Sequence, residues 1–293
     1  MQLISDLAAI IAPAFLISLA GYLWARRGLP FDQIMITELM TLIGAPCLVF
    51  SIFTKMTLPV ADVAVMGLAS LACLVTFALA GAIGLRIAGL EVKVYLPSLI
   101  FPNVGNMGLP VCLFAFGDQG MALAMVYFAV TVIGQFTIGP AVAAGRLDLR
   151  SLLRLPFIYV AVVAVFLKIR GIDPPAWIAN TASLAGGITV PMMLMALGVA
   201  LAQLRVGNWW RAATMSLLRL GCGAAGGLLI AMLFGLEGPA RGVLIIQSAM
   251  PVAVFNYLFA YQYGNRPEEV AGMVLLSTAF AYFSLPALVA ILT

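Results

Sequence analysis

The sequence predicts an all-α membrane protein of ten transmembrane helices, arranged as two inverted five-helix repeats. Apolar residues make up 64% of the 293 residues and charged residues 9%, against roughly 45–50% and about 25% in soluble domains. The apolar runs are long and continuous, which favours helices because backbone groups in lipid must be bonded internally. Two of these runs are also interrupted by proline at equivalent places in the two halves of the chain.

Charged residues and Pro/Gly clusters divide the chain into ten runs that can cross a bilayer as helices. The predicted spans are 7–24, 34–53, 63–87, 92–117, 121–143, 153–169, 177–204, 209–234, 241–263 and 270–292. The longest polar connection, 145–154, separates the fifth span from the sixth. We therefore expect two domains, with residues 1–145 forming the first repeat and residues 146–293 the second.

The two halves match at three pairs of residues that are separated by nearly the same interval. About 145 to 150 positions separate the members of each pair: Pro46 and Pro191, Cys73 and Cys222, Pro102 and Pro251. Because each half holds five helices, an odd number, the second half must enter the membrane from the opposite face. Inverted repeats with interrupted helices at equivalent positions are typical of secondary transporters.

Lys and Arg in the connecting loops predict the orientation of the chain. The loops after odd-numbered helices carry ten: Arg26, Arg27, Arg86, Lys93, Arg146, Arg150, Arg154, Arg205, Arg211 and Arg266. The loops after even-numbered helices carry four: Lys55, Lys168, Arg170 and Arg241. We expect a multi-pass protein of the inner or plasma membrane, with the central loop in the cytoplasm and both termini outside. The net charge of +4 then reflects topology and contact with the lipid bilayer, and we expect no nucleic-acid partner.

The fourth predicted helix contains a sharp interruption, FPNVGNMGLP, at 101–110. Pro102 removes a backbone donor, and Gly105 permits unwound backbone. Such a break is tolerated in a membrane only where it is buried in protein or lines a cavity. Asn103 and Asn106 place amide groups beside the freed backbone.

The ninth predicted helix is interrupted in a similar way at Pro251, which is flanked by Gln247, Ser248 and Asn256. Where half-helices meet, their N-terminal ends can hold an anion, and their carbonyl ends can coordinate a cation. The alternative is a pair of kinked helices that pack closely against each other, with Asn side chains forming hydrogen bonds between helices.

Arg219 is the one basic residue that lies far from the predicted loops. It is about ten residues inside the eighth predicted span, or roughly 15 Å from its end. A cation at this depth indicates a functional site that faces a cavity or a partner. A structural arginine bonded to the carbonyls of a broken helix is the other interpretation, and the sequence leaves both open.

The run Pro102-Asn103-x-Gly105-Asn106-x-Gly108-x-Pro110, the second break and the ten-helix layout resemble the auxin efflux carrier family. This family, related to the bile acid, arsenite and riboflavin transporters, includes plant auxin exporters and bacterial carriers of malonate and related organic acids. The resemblance covers nearly the whole chain. It implies that helices 1, 2, 6 and 7 form a scaffold, through which a homodimer can form. Helices 3–5 and 8–10 would form a moving transport domain, and broken helices 4 and 9 would cross at the substrate site.

The resemblance also implies a set of substrate-binding residues, drawn from both breaks and from the scaffold wall opposite them. They are Pro102, Asn103, Gly105, Asn106, Gln247, Ser248, Pro251, Asn256, Pro46, Cys47, Pro191 and Met192. Arg219 joins the candidate substrate-binding residues on the separate ground of its charge inside the membrane.

We therefore expect a secondary transporter that moves a small organic anion, such as malonate or an auxin-like acid, by an elevator-like alternating-access mechanism. A sodium-coupled symporter of a larger, bile-acid-like anion and a channel are the alternatives. No cofactor is expected beyond a coupling proton or sodium ion, for which Glu38 and Asp118 are the carboxylates near the membrane. An enzyme is not expected, because the chain has no His and its four Cys lack metal-ligand spacing.

Overall fold

The computed structural model describes residues 2–55, 59–144, 156–204 and 207–293. These residues form helices, and the described ranges contain no strand, only an isolated antiparallel bridge between Pro102 and Val252. The prediction of an all-α protein is confirmed. In chain order the helices are α1 (Gln2–Arg26), α2 (Gln33–Leu39), the π-helical turn π1 (Met40–Gly44), α3 (Ala45–Lys55), α4 (Val60–Ile87), α5 (Val92–Ile100), the π-helical turn π2 (Val104–Gly108), α6 (Leu109–Ala144), α7 (Pro156–Ile169), α8 (Ala176–Gly187), α9 (Thr189–Gln203), α10 (Trp209–Leu233), α11 (Gly238–Ser248), α12 (Val254–Gln262) and α13 (Pro267–Leu292).

Several of the helical runs are apolar enough, and long enough, to cross a bilayer. Five described runs meet both conditions: Ala61–Ile87, Val104–Gln135, Ala176–Gln203, Trp209–Leu233 and Pro267–Leu292. Three shorter apolar helical segments accompany them: Phe15–Arg26, Leu42–Thr54 and Tyr159–Ile169. Large apolar side chains such as Leu184 and Phe283 point outward, each 83% exposed, as expected of surfaces that contact lipid. The chain is a multi-pass membrane protein.

The interruptions of the helices lie at or near Pro and Gly residues of the sequence. The second predicted span contains α2, π1 and α3 in one continuous run, and the seventh contains α8 and α9 with a turn at Ile188. The run α6 is broken at Gly117, whose φ of 62° and ψ of −153° glycine adopts without steric cost. This break separates the fourth predicted span from the fifth. The predicted domain boundary at 145/146 and the start of the sixth span lie outside the described residues.

The two proline-interrupted helices cross each other at their breaks. The first is α5, which ends at Ile100 before π2 begins; the second is α11, which ends at Ser248 before α12 begins at Val254. The backbone amide of Asn103 donates to the Pro251 carbonyl at 2.7 Å, and the backbone amide of Ala253 donates to the Phe101 carbonyl at 3.2 Å. Each break therefore supplies partners for backbone groups that the other break leaves free, which is what burial in a membrane protein requires.

The helices pack as two groups. In one, α1 lies against α9, and α3 lies against α7 and α8. In the other, α4 packs on α5 and α6, while α10 packs on α11 and α13. The crossing belongs to the second group, and residues 101–105 and 249–253 are all buried.

Candidate functional site

A cavity of about 60 Å³ lies against the crossing of the two breaks, enough for several water molecules. Its wall combines residues of both breaks with residues of the surrounding helices. They are Pro102, Asn103, Val104, Gly105 and Asn106 from the first break, Ala253, Val254 and Phe255 from the second, and Met40, Ala45, Phe128, Val132, Gln135 and Met193 around them. None of these described lining residues carries a charged side chain.

A second cavity, of about 170 Å³, adjoins the first and shares Asn106, Met40 and Met193 with it. It extends to Gln33, at the start of α2, and Gln203, at the end of α9. The two cavities therefore reach from the crossing toward the end of the molecule where α2 begins and α9 ends.

Two helix N-termini contribute to the wall of the first cavity. One begins at π2 and continues into α6, and the other is α12. The N-terminal end of a helix carries a partial positive charge. Residues 104–106 and 254–255 belong to the first turns of these helices. The cavity thus lies where two partially positive helix ends meet.

The two predicted asparagines lie in this wall. Asn103 is 4% exposed, and no described group accepts a hydrogen bond from its Nδ2 atom. Asn106 is half-buried and lines both cavities. A buried donor without a partner costs roughly 1–3 kcal/mol, so the Asn103 amide is suited to bind a ligand or a water molecule in the cavity.

Arg219 lies on the other side of the crossing, at the carbonyl ends of the half-helices. Its Nη1 atom donates to the Leu99 carbonyl at 2.8 Å, and its Nη2 atom donates to the Ser248 carbonyl at 2.6 Å. The guanidinium carbon lies 5.0 Å from the centre of the Phe77 ring, a cation–π arrangement. Arg219 is 1% exposed and is not part of either cavity wall. Its contacts are those of the structural interpretation.

Gln247 and Ser248, predicted to bind substrate, bond to neighbouring helices. The Gln247 Nε2 atom lies 3.5 Å from the Ala124 carbonyl that accepts from it, and its side chain packs against Gly108. The Ser248 hydroxyl lies 3.0 Å from the Tyr127 hydroxyl. Neither residue lines the described cavities.

Asn256 and Pro251 hold the crossing together. The Asn256 Nδ2 atom donates to the Phe101 carbonyl at 3.0 Å, and its Oδ1 atom accepts from Gln135 at 3.4 Å. Pro251 is buried and contributes the carbonyl that Asn103 binds.

The predicted scaffold residues lie next to the cavity wall instead of within it. Pro46 is buried, Cys47 and Met192 are half-buried, and Pro191 is exposed. The cavities are lined by sequence neighbours of these residues, Ala45 and Met193. The two carboxylates considered for coupling, Glu38 and Asp118, are exposed and line neither cavity.

Sequence reasoning missed several lining residues. Gln135 is a lone amide in an otherwise apolar span, and that isolation is a signal that could have identified it. Met40 and Phe128 carry no such signal, because the sequence does not distinguish an apolar side chain that packs in a core from one that lines a cavity.

A cavity at the crossing of two interrupted helices, in a helical membrane protein, is typical of secondary transporters. Comparison with known proteins agrees: a family model described as membrane transport protein matches residues 140–289. The chain belongs to this family, and the resemblance to auxin efflux carriers is thereby confirmed. It is also 25% identical over 191 residues to an uncharacterized transporter of Methanocaldococcus jannaschii, and the match covers 61% of each chain. The family and the relative point to a transporter rather than an enzyme.

Proposed function

We propose that this protein carries a small organic anion, a carboxylate such as malonate or an auxin-like acid, which binds in the cavity at the crossing. One observation carries the proposal. Two helix N-termini and the unpartnered side-chain amide of Asn103 meet at a buried cavity whose described wall contains no acidic side chain. Partial positive charge and the Asn103 side-chain donor favour a carboxylate, and no carboxylate in that described wall repels it.

The expected affinity is modest. Each helix terminus contributes about 0.3–1 kcal/mol, or about 2 when partly buried, and each hydrogen bond contributes about 1 kcal/mol net. Together these contributions correspond to a dissociation constant between roughly millimolar and tens of micromolar. The apolar part of the substrate would contact Met40, Phe128 and Met193. Weak binding suits a carrier, because the substrate must be released on the other side.

We further propose that ten membrane-spanning helices form two inverted repeats and that the site moves with one group of helices. The helices α1–α3 and α7–α9 would form the scaffold, and α4–α6 with α10–α13 would form the transport domain. The cavity wall draws on both groups, with Met40 and Met193 on the scaffold side and Asn103 and Val254 on the transport side. An elevator-like movement requires a site at such a boundary. When the transport domain slides, the site keeps its own residues and faces a different part of the scaffold.

The orientation follows from charge. Gln33 and Gln203 mark the end of the molecule toward which the larger cavity extends. In the sequence, Arg26 and Arg27 precede Gln33, and Arg205 follows Gln203. Positively charged loops stay in the cytoplasm. We propose that both termini lie outside and that this conformation opens toward the cytoplasm.

Flux of labelled malonate and indole-3-acetate into proteoliposomes tests the proposal. Asn103→Ala should lower the flux about tenfold, since the loss of one hydrogen bond to a charged group costs about 1.5 kcal/mol or more, and Asn106→Ala should also lower it. Asn180→Ala is the matched control, because Asn180 is exposed on α8 and lines neither cavity. Absence of saturable flux for any monocarboxylate or dicarboxylate, or equal flux in Asn103→Ala and Asn180→Ala, would refute it.

The same vesicles separate the alternatives. Imposed proton and sodium gradients show whether either ion drives the flux. A sodium-driven flux that requires a larger amphipathic anion would favour a bile-acid-type symporter, and single-channel current steps would favour a channel.

A further inference from the structure

The carbonyl side of the crossing is already bonded to a cation that belongs to the protein. In carriers with interrupted helices, C-terminal carbonyl ends of half-helices can coordinate a coupling cation. In this chain those ends are the last turns of α5 and α11, and the guanidinium of Arg219 donates to a carbonyl in each, those of Leu99 and Ser248.

We propose that Arg219 is a tethered cation that takes the place of a dissociable one at this position and holds the two half-helices in register. It is a positioning residue, because it touches neither cavity. The transport readouts below rest on the proposed function. The stability readout does not require any substrate.

Charge balance supports this role. A helix C-terminus carries about half a negative charge, so two of them together offset the single positive charge of the guanidinium. The described ion pairs of the chain do not include Arg219, and its other neighbour is the aromatic ring of Phe77. A fully buried cation without a carboxylate is stable only if such dipoles compensate it.

The geometry requires an arginine. The two carbonyls are reached by different nitrogen atoms of one planar group, at 2.8 and 2.6 Å. A lysine ammonium is a single compact donor on a flexible stem and lacks the rigid fork. We therefore expect Arg219→Lys to keep the charge but to hold the two ends less firmly.

The first test measures thermal unfolding in detergent, with sodium chloride, choline chloride or low-millimolar guanidinium chloride. Arg219→Ala should unfold at a lower temperature than the unmodified protein, and added guanidinium should raise its Tm by occupying the vacated position. Arg211→Ala is the matched control: it removes the same group from the same helix, but one that pairs with Glu269 near the helix end. Its Tm should not rise with guanidinium. A Tm of Arg219→Ala that does not respond to guanidinium would overturn the proposal.

The second test measures organic-anion flux in proteoliposomes. Flux of the unmodified protein should be unchanged when choline replaces sodium. The flux of Arg219→Ala should be lower by about tenfold or more, as expected for the loss of a charged hydrogen bond. Added guanidinium should raise that flux several-fold. Sodium-dependent flux of the unmodified protein would overturn the proposal on its own. If Arg219→Ala fails to fold, Arg219→Lys replaces it, with a Tm and a flux expected below those of the unmodified protein; values equal to those of the unmodified protein would overturn the proposal.

The two failures are distinguishable. If the unmodified protein carries no carboxylate at all, the proposed function fails, while the response of Tm to guanidinium still tests Arg219. If carboxylate flux is present but Arg219→Ala transports as well as the unmodified protein, only the tethered-cation proposal fails.

Discussion

Substitution of Gly223 by alanine should displace the end of α11 from α10. A Cβ atom at position 223 would collide with the carbonyl oxygen of Ser248 and would lie 3.1 Å from its carbonyl carbon. This carbonyl is the one that Arg219 binds. Gly221, two positions earlier on the same helix, is exposed, and no heavy atom lies within 4 Å of the place that an alanine methyl group would take there.

The expected cost follows from three contributions. Overpacking costs about 1–3 kcal/mol, and weakening a charged hydrogen bond costs about 1.5–3 kcal/mol. Replacing glycine by alanine inside a helix returns about 1 kcal/mol. The net effect of Gly223→Ala is a loss of about 1.5–5 kcal/mol in the free energy of unfolding, whereas Gly221→Ala keeps only the favourable contribution.

Thermal unfolding of both variants in detergent measures this difference. Gly223→Ala should lower Tm, and Gly221→Ala should leave it equal or raise it. Equal Tm values for the two variants would show that α10 and α11 do not approach each other as closely as described, and the account of the Arg219 contacts would fail with them.

Three further changes have defined outcomes. Gly105→Val should abolish organic-anion flux without preventing insertion, because its Cβ points at Phe128 from 2.9 Å; exposed Gly84→Val is the control, and equal flux would contradict the cavity assignment. Asn256→Leu should lower the free energy of unfolding by about 1–3 kcal/mol, because it removes one of the two hydrogen bonds to the Phe101 carbonyl and the acceptor of Gln135; an unchanged Tm would count against this. Glu91→Gln should change Tm little, since exposed ion pairs contribute little.

Much of the fold could be predicted because lipid restricts the choices. Long apolar runs with so few charges favour helices, and the prolines and glycines mark where those helices stop. The breaks at Pro102 and Pro251 and the separation at Gly117 follow directly from that punctuation. The antiparallel bridge that joins the two breaks could not be predicted from the sequence, because residues 102 and 252 are distant in the sequence and pairing between them depends on tertiary packing.

The candidate site was predictable on one break and less so elsewhere. Asn103 and Asn106 were identifiable because polar side chains beside unwound backbone have few roles in a membrane. The scaffold wall required knowledge of which face of a helix points inward, and neighbours such as Pro46 and Ala45 point in different directions. A π-helical turn directly before Ala45 shifts this register further, and the apolar pattern does not reveal it.

Arg219 shows why depth in the membrane alone does not assign a role. At the level of the sequence, a mid-membrane cation and a carboxylate substrate suggest each other by charge. The structure separates the two: the crossing presents its N-terminal ends to the cavity and its C-terminal ends to the arginine. The N-terminal ends belong to π2 with α6 and to α12, whereas the C-terminal ends belong to α5 and α11. An anion and a cation can therefore occupy opposite sides of one crossing without contact, and a substitution at Arg219 should act on substrate binding only through the positions of the half-helices.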